Sequence, residues 1–187
     1  MTRKLIYSTG VSLDGFIAGP GGEIDWSAPD EELHRFHNEQ TRELAVHLCG
    51  RRLYETMVYW ETADQDASAS DVTLEFARIW QALPKIVFST TLERVEGKNT
   101  RLAQGDLIEV VAGLMEESGG DVAVGGAGLG AGLIERNLID EYRLFVSPVV
   151  LGGGTPYFPA LQRRIDLELL ETRTFGGGVL YLRYAKS

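Results

Sequence analysis

The amino-acid sequence predicts an α/β fold with a mostly parallel central sheet, helices on both faces and an antiparallel C-terminal hairpin. Three observations predict it. Short apolar, β-rich runs alternate with helical patterns up to about Asp140. After Asp140, strand-like runs follow one another with only turns between them. The composition is that of an ordinary globular chain, with 44% hydrophobic and 24% charged residues over 187 positions, which fits one domain spanning residues 1–187.

Lys4-Leu5-Ile6-Tyr7-Ser8-Thr9 reads as the first strand. Ser27-Ala28-Pro29-Asp30-Glu31-Glu32 then carries the marks of a helix start: a cap candidate, a proline and an acidic first turn. That helix runs to about Gln40. The segments 44–49, 85–89 and 121–124 are further strands, and helices are expected near 53–59, 72–81, 107–117 and 129–136. Strands at 142–146, 167–172 and 179–184 complete the chain, the last two joined by Phe175-Gly176-Gly177-Gly178 as a hairpin.

Charge and cysteine content exclude several functions. The formal net charge is 18 − 27 = −9, which argues against a nucleic-acid binder because such a protein needs a basic face to displace counterions. A small anion can still be held by a few arginines and backbone amides. The acids Glu61, Asp64, Asp66 and Asp71 lie around a loop-like stretch and read as solvated. Cys49 is the single cysteine, so no intrachain disulfide forms, and the Pro-Cys-x-x-Cys zinc motif of cytidine-type deaminases is missing. No apolar run approaches the ~20 residues of a membrane span, and the short apolar start does not suit a signal peptide. The expected location is the cytoplasm.

Three segments, each following a strand, carry the candidate chemistry. Gly125-Gly126-Ala127-Gly128-Leu129-Gly130 lies between a strand and a helix, where glycines let a backbone approach a phosphate and the helix start offers free amides. The spacing superficially fits a dinucleotide fingerprint, but Asp140 and Glu141 come too early to serve as its ribose-binding acid. Tight helix–sheet packing is the competing explanation for these glycines. Gly50-Arg51-Arg52 presents amides and guanidinium groups after another strand, or merely surface arginines at a helix start. Ser89-Thr90-Thr91 offers hydroxyls at a third strand end, where open α/β sheets bind ligands. Glu31, His34 and His37 recur at i, i+3 and i+6 without a further ligand, and read as a helix face rather than a metal site.

In order and spacing, these pieces resemble the dihydrofolate reductase-like superfamily, and within it the group related to the C-terminal reductase domain of the riboflavin-biosynthesis deaminase-reductase. The resemblance rests on Ser12-Leu13-Asp14-Gly15-Phe16-Ile17-Ala18, Gly50 to Glu55, Lys85 to Leu92, Val124 to Ala127, Leu138 to Leu144 and Pro148 to Gly154. It implies a dihydrofolate reductase-like fold and NADPH bound by Gly50, Arg51, Arg52, Ser89, Thr90 and the stretch Gly125, Gly126, Ala127, Gly128, Leu129 and Gly130. Asp14, Phe16, Ile17, Trp26 and Gly153 match the region around nicotinamide and substrate, with Asp14 and Glu31 the candidate catalytic groups. Trp26, Pro29 and Glu31 match the offsets of a tryptophan, a proline and a pterin-binding carboxylate, although Glu31 also suits a plain first-turn acid.

The implied activity is hydride transfer from NADPH to a C=N or C=O group of a pteridine, an aminopyrimidine or a related heterocycle. The alternative is a catalytically silent NADPH-binding module of the same fold. The resemblance also implies a homodimer paired through the C-terminal strands.

Overall fold

In a computed structural model describing residues 3–187, ten strands and five α-helices form. The strands are β1 (Leu5–Ser12), β2 (Phe16–Ala18), β3 (Leu44–Gly50), β4 (Lys85–Phe88), β5 (Thr100–Leu102), β6 (Asp121–Gly125), β7 (Glu141–Ser147), β8 (Thr155–Pro156), β9 (Leu167–Thr174) and β10 (Leu180–Lys186). The helices are α1 (Glu31–Arg42), α2 (Arg51–Met57), α3 (Asp71–Ala82), α4 (Leu107–Glu116) and α5 (Ala127–Glu135). Eight strands make one sheet in the order β5-β4-β3-β6-β1-β7-β10-β9, and β2 pairs with β8 in a separate two-stranded ribbon. All neighbours from β5 to β7 run parallel, and β10 is antiparallel to both β7 and β9. The expected fold class is therefore the observed one.

Alternation along the strands sends side chains to opposite faces. Leu5 and Tyr7 on β1, with Val122 and Val124 on β6, bury against Leu133 and Ile134 of α5 and Val111 and Leu114 of α4. The other face is covered by α1 and α3. Leu33 and Phe36 of α1 meet Phe145 and Tyr181, while Phe76 and Trp80 of α3 meet Cys49 and Val87. Each large side chain buried this way contributes about 1.5–3 kcal/mol, so the sheet is held from both sides.

From β1 the chain steps outward through β3 and β4 to β5, with α1, α2 and α3 on one face. It returns through α4 and α5 on the other, inserting β6 between β1 and β3. Helices thus leave β3 and β6 toward opposite faces, which opens a crevice at their carboxyl ends, the usual ligand position in such sheets.

Candidate active site

The helix starts divide into two groups. Asp30 accepts from the Leu33 amide at 2.8 Å, Ser70 from Thr73 and Asp106 from Ile108, so α1, α3 and α4 are each capped by a side chain. The helices α2 and α5 begin on Gly50 and Gly126, with no capping side chain and no acid in the first turn. Those two starts lie against each other: a Cβ on Gly126 would sit 3.4 Å from the Gly50 backbone. Gly126 also holds a φ of 101°, a conformation that only glycine adopts readily. The uncapped amides and positive dipole ends therefore face one crevice, free to receive an anion.

The glycine loop serves packing as well as ligand access. A Cβ at Gly130 would meet the Tyr7 ring at 2.5 Å, and one at Gly125 would collide with Leu53 and approach His47 Cε1 to 2.8 Å. Gly128 differs, because nothing lies within 4 Å of the position its Cβ would take. Internal packing explains Gly125 and Gly130; it does not explain Gly128, which stands in the first turn of α5 where a ligand's approach is unobstructed.

Beside this crevice, Arg51, Ser89 and Thr90 line a cleft of about 590 Å³ together with Thr91, Gly105 and Asp106. Arg51 donates to Thr91 Oγ1 at 2.7 Å and to Glu55 Oε1 at 2.7 Å. The Ser89 hydroxyl accepts from the Thr91 and Leu92 amides, fixing the turn. The neighbouring Arg52 is exposed and is not on the cleft wall. The two arginines, equivalent in sequence, are thereby distinguished.

A second concavity of about 410 Å³ lies between α1, α3 and the sheet. Trp60, Phe76, Trp80 and Phe145 give it aromatic walls, and His34, His37, His47, Gln40 and Arg143 supply polar groups. Burial lowers the pKa of His34 and takes His37 and His47 down to about 4, so His37 and His47 stay neutral at pH 7. His47 Nδ1 lies 3.3 Å from the Cys49 thiol, whose pKa burial pushes up to about 12. The protonated thiol and Nδ1 share this contact, with the direction of the hydrogen bond set by the ring tautomer. His47 lines this cavity and also abuts Gly125, so one side chain touches both the cavity and the glycine loop. Behind the wall, Arg143 donates to the fully buried Glu141, which also accepts from Arg183 and Lys4. Burial alone would raise the Glu141 pKa, but these cations hold it at about 2.

The remaining candidates from the sequence sit elsewhere. Asp14 accepts from the Ser12 hydroxyl at 2.7 Å and from the Leu151 and Gly152 amides at 3.1 and 2.7 Å. These bonds, that of Ser12 first, lower its pKa and tie the β1–β2 turn to the 151–152 turn. Phe16 and Ile17 lie on the β2–β8 ribbon, and Gly153 approaches Pro20. Trp26 donates to the Glu23 carbonyl in a short 3-10 turn. Glu31 is exposed and paired with Arg35. None of these six lines the aromatic cavity. Sequence reasoning misses the cavity histidines as site residues because Trp60 and Phe76 meet His34, Phe145 meets His37 and Trp80 meets His47 only after folding. The i, i+3 spacing of His34 and His37 on α1 is the available signal, and His47, on β3, has none. Among the described residues no group of three or more His, Cys, Asp or Glu is placed to hold a metal.

A mostly parallel sheet with this strand order, a crevice between glycine-led helix starts and an antiparallel C-terminal hairpin define an α/β fold of the dihydrofolate reductase type. The family described as the RibD C-terminal domain matches residues 3–181, and the chain belongs to it. The chain is 32% identical to the protein YyaP of Bacillus subtilis (strain 168), over 97% of this chain and 94% of that one. Among solved structures, a Shewanella sp. PV-4 protein described as a candidate riboflavin-biosynthesis protein matches with a TM-score of 0.75 and 21% identity, covering 99% of each chain. The dihydrofolate reductase of Enterococcus faecalis, complexed with NADP(H) and RAB-propyl, matches at 0.65 and 15%, covering 100% of this chain and 98% of that one. The Thermotoga maritima deaminase/5-amino-6-(5-phosphoribosylamino)uracil reductase matches at 0.66 and 14%, covering 100% of this chain and 57% of that one. At these identities the structural matches establish the shared fold.

Proposed function

We propose that the chain is an NADPH-dependent reductase that passes a hydride to a C=N or C=O group of a heterocyclic acceptor. The observation that carries this reading is the meeting of the two uncapped helix starts, Gly50 of α2 and Gly126 of α5, at the crevice between β3 and β6. The residues present fit the cofactor's chemistry: open space at Gly128 for a pyrophosphate, and Arg51 with Ser89 and Thr90 for the 2′-phosphate. Gly50, Arg52, Gly125, Gly126, Ala127, Leu129 and Gly130 complete the proposed cofactor-binding set. When bound, the dihydronicotinamide supplies the hydride.

The chain's own residues align and dry the reactants. The aromatic cavity seats the acceptor in an apolar enclosure, and the neutral His47 imidazole stands beside the glycine loop as the group nearest to it that can pass a proton. Asp14 stays ionised, so we assign it the positioning of the 151–152 turn rather than proton donation. Phe16, Ile17, Trp26 and Gly153 border the nicotinamide end in this reading, and Glu31 serves as a first-turn acid.

Cofactor oxidation against a panel of pterins and the phosphoribosylaminouracil intermediate tests the activity; tight NADPH binding without turnover of any acceptor favours the silent module. Calorimetry on Arg51→Ala should show a loss of about 1.5–3 kcal/mol for NADPH, with NADH little affected and Arg52→Ala the milder change. Equal affinity of the unmodified protein for NADPH and NADH counts against the assignment of Arg51.

Assembly as a homodimer is part of this reading. The strand β9 is a long open edge with Leu169 and Leu170 exposed, and such edges are commonly paired or covered. Light scattering at micromolar concentration should give twice the chain mass of 20.6 kDa; the single mass rejects the dimer.

A further inference from the structure

The guanidinium at one end of the aromatic cavity exceeds what its carboxylate partner requires. Arg183 grips the fully buried Glu141 in a fork, Nε to Oε1 at 2.7 Å and Nη2 to Oε2 at 3.0 Å, and Lys4 adds a bond to Oε2 at 3.1 Å. Those two cations already neutralise and satisfy one carboxylate. Arg143 nevertheless adds a bond from Nε to Oε1 at 2.7 Å. It also stands directly opposite Arg183 across β7 and β10, a like-charge pairing that by itself destabilises a sheet. With Glu171 counted on Arg183, three cations share two carboxylates, so the cluster holds one positive charge in excess.

That excess is felt at Arg143. The side chains of Lys4 and Arg183 are 43% and 31% exposed, so water screens them, whereas that of Arg143 is 8% exposed and forms part of the cavity wall. A desolvated guanidinium needs acceptors for its N–H groups. Its Nη1 donates to Gln40 Oε1, and its Nη2 has no acceptor among the described residues. Because a guanidinium only donates, it holds the Gln40 oxygen toward itself, which leaves the Gln40 Nε2 as a second donor beside Nη2. Gln40 lines the same cavity. Two donors and an excess positive charge therefore meet at one end of a cavity walled by Trp60, Phe76 and Phe145.

We propose that Arg143 is a specificity-determining residue of the acceptor site: with the Gln40 amide it receives the ring carbonyl oxygen of a lactam-bearing heterocycle, a pteridin-4-one or a pyrimidinone, in preference to an amine at the same ring position. The inference rests on the cavity being the acceptor site of the proposed reductase, and it narrows the heterocycle that the site takes. A carbonyl oxygen carries two lone pairs, one for each donor, and its negative end answers the excess charge. An amine in its place sets N–H against N–H and leaves buried donors unpaired, which is the kind of mismatch that a polar site rejects strongly. The aromatic walls hold the ring flat while this end fixes which edge enters.

The test is calorimetric titration of the full chain with pterin, which carries an oxo group at ring position 4, and with 2,4-diaminopteridine, which carries an amine there, each with and without saturating NADP+. Pterin should bind at least about tenfold more tightly. Arg143→Met keeps the bulk of the side chain and leaves Glu141 its fork with Arg183 and its bond to Lys4. It should cut pterin affinity by about tenfold or more and erase the preference between the two compounds. Gln40→Glu leaves the Glu141 cluster untouched, cancels the excess charge and replaces the amide donors by acceptors, so there the ranking should invert. That inversion is the deciding result if Arg143→Met fails to fold. Equal or tighter diaminopteridine binding by the unmodified protein, no binding of either compound, or a pterin preference kept in folded Arg143→Met or in Gln40→Glu would each overturn the proposal. NADP+ titrated alone decides the cofactor reading separately. A chain that binds NADP+ but not pterin loses only the role of Arg143, and one that ranks the two compounds as expected without binding NADP+ loses only the reductase.

Discussion

The crevice between β3 and β6 and the cavity under α1 and α3 are built by opposite means. The crevice is made of backbone: glycines at positions 50, 126 and 128, free amides, and the fixed directions of two helices. The cavity is made of side chains from α1, α3, the 58–61 turn and four strands, drawn together from positions 6 to 145. A backbone site carries its signature in a few consecutive residues, since only glycine tolerates a φ of 101° or so close an approach. A side-chain site has no local signature. It exists only once the sheet order has been established.

That contrast orders the expected effects, and the largest belongs to the cavity. His37 and His47 have pKa values of about 4 in the folded protein, against an ordinary value near 6.5 in the unfolded chain. Above pH 6.5 both states hold these rings neutral, and no stability is lost. Between pH 6.5 and 4 the unfolded chain binds protons that the folded chain refuses, so stability falls as pH falls. The expected cost is about 2–3 kcal/mol for each ring by pH 4, a large share of a small protein's total. Glu141, held at about 2, adds a further loss below its ordinary value of 4.5, as the unfolded carboxylate protonates first. Urea unfolding at pH 7, 5.5 and 4.5 measures the slope. A flat profile would mean that the imidazoles are fully solvated and the cavity wet.

The crevice is tested by Gly126→Val. The substitution forces a branched side chain into a positive φ and brings its Cβ to 3.4 Å from the Gly50 backbone. Strain of about 1–3 kcal/mol is expected, together with loss of more than a hundredfold in affinity for both NADPH and NADH. The sheet should survive, because Gly126 lies beyond the end of β6. Native circular dichroism with native cofactor affinity would remove the crevice from the site.

Much of the fold was legible in the sequence, and the exceptions share a cause. The seven longer strands and five helices lie where periodicity placed them, with shifted ends: β1 continues to Ser12, and α2 starts at Arg51 rather than near Leu53. The short strands β2, β5 and β8 went unread, since two or three residues cannot show alternation and Thr100-Arg101-Leu102 is polar at its centre. The helix start near Ser27 resolved to Asp30 as the cap, with a short 3-10 turn before it. At the site, the three post-strand segments were found because their backbone needs are local. The difference between Arg51 and Arg52 was not, since it depends on where Thr91 lies after folding. His34, His37 and His47 read as a helix face and a strand position, and only folding joins them, by packing His34 on Trp60 and Phe76, His37 on Phe145 and His47 on Trp80.

The smallest expected effect is the sharpest test of the comparison, because it separates packing from ligand access within one loop. Gly128 stands in the first turn of α5, with nothing within 4 Å of where its Cβ would be. Alanine in a helix is favoured over glycine by about 0.5–1 kcal/mol, and no neighbour has to move to admit it. Gly128→Ala should therefore raise the melting temperature by a few degrees. If the glycine is there so that a pyrophosphate can approach the helix start, the same methyl group stands in that path, and NADPH affinity should fall several-fold. A glycine kept for packing would show the reverse pairing, lower stability with unchanged affinity. One variant, read by thermal unfolding and by cofactor titration, thus sets the two roles in opposition, and gains in both measurements would remove Gly128 from the cofactor site.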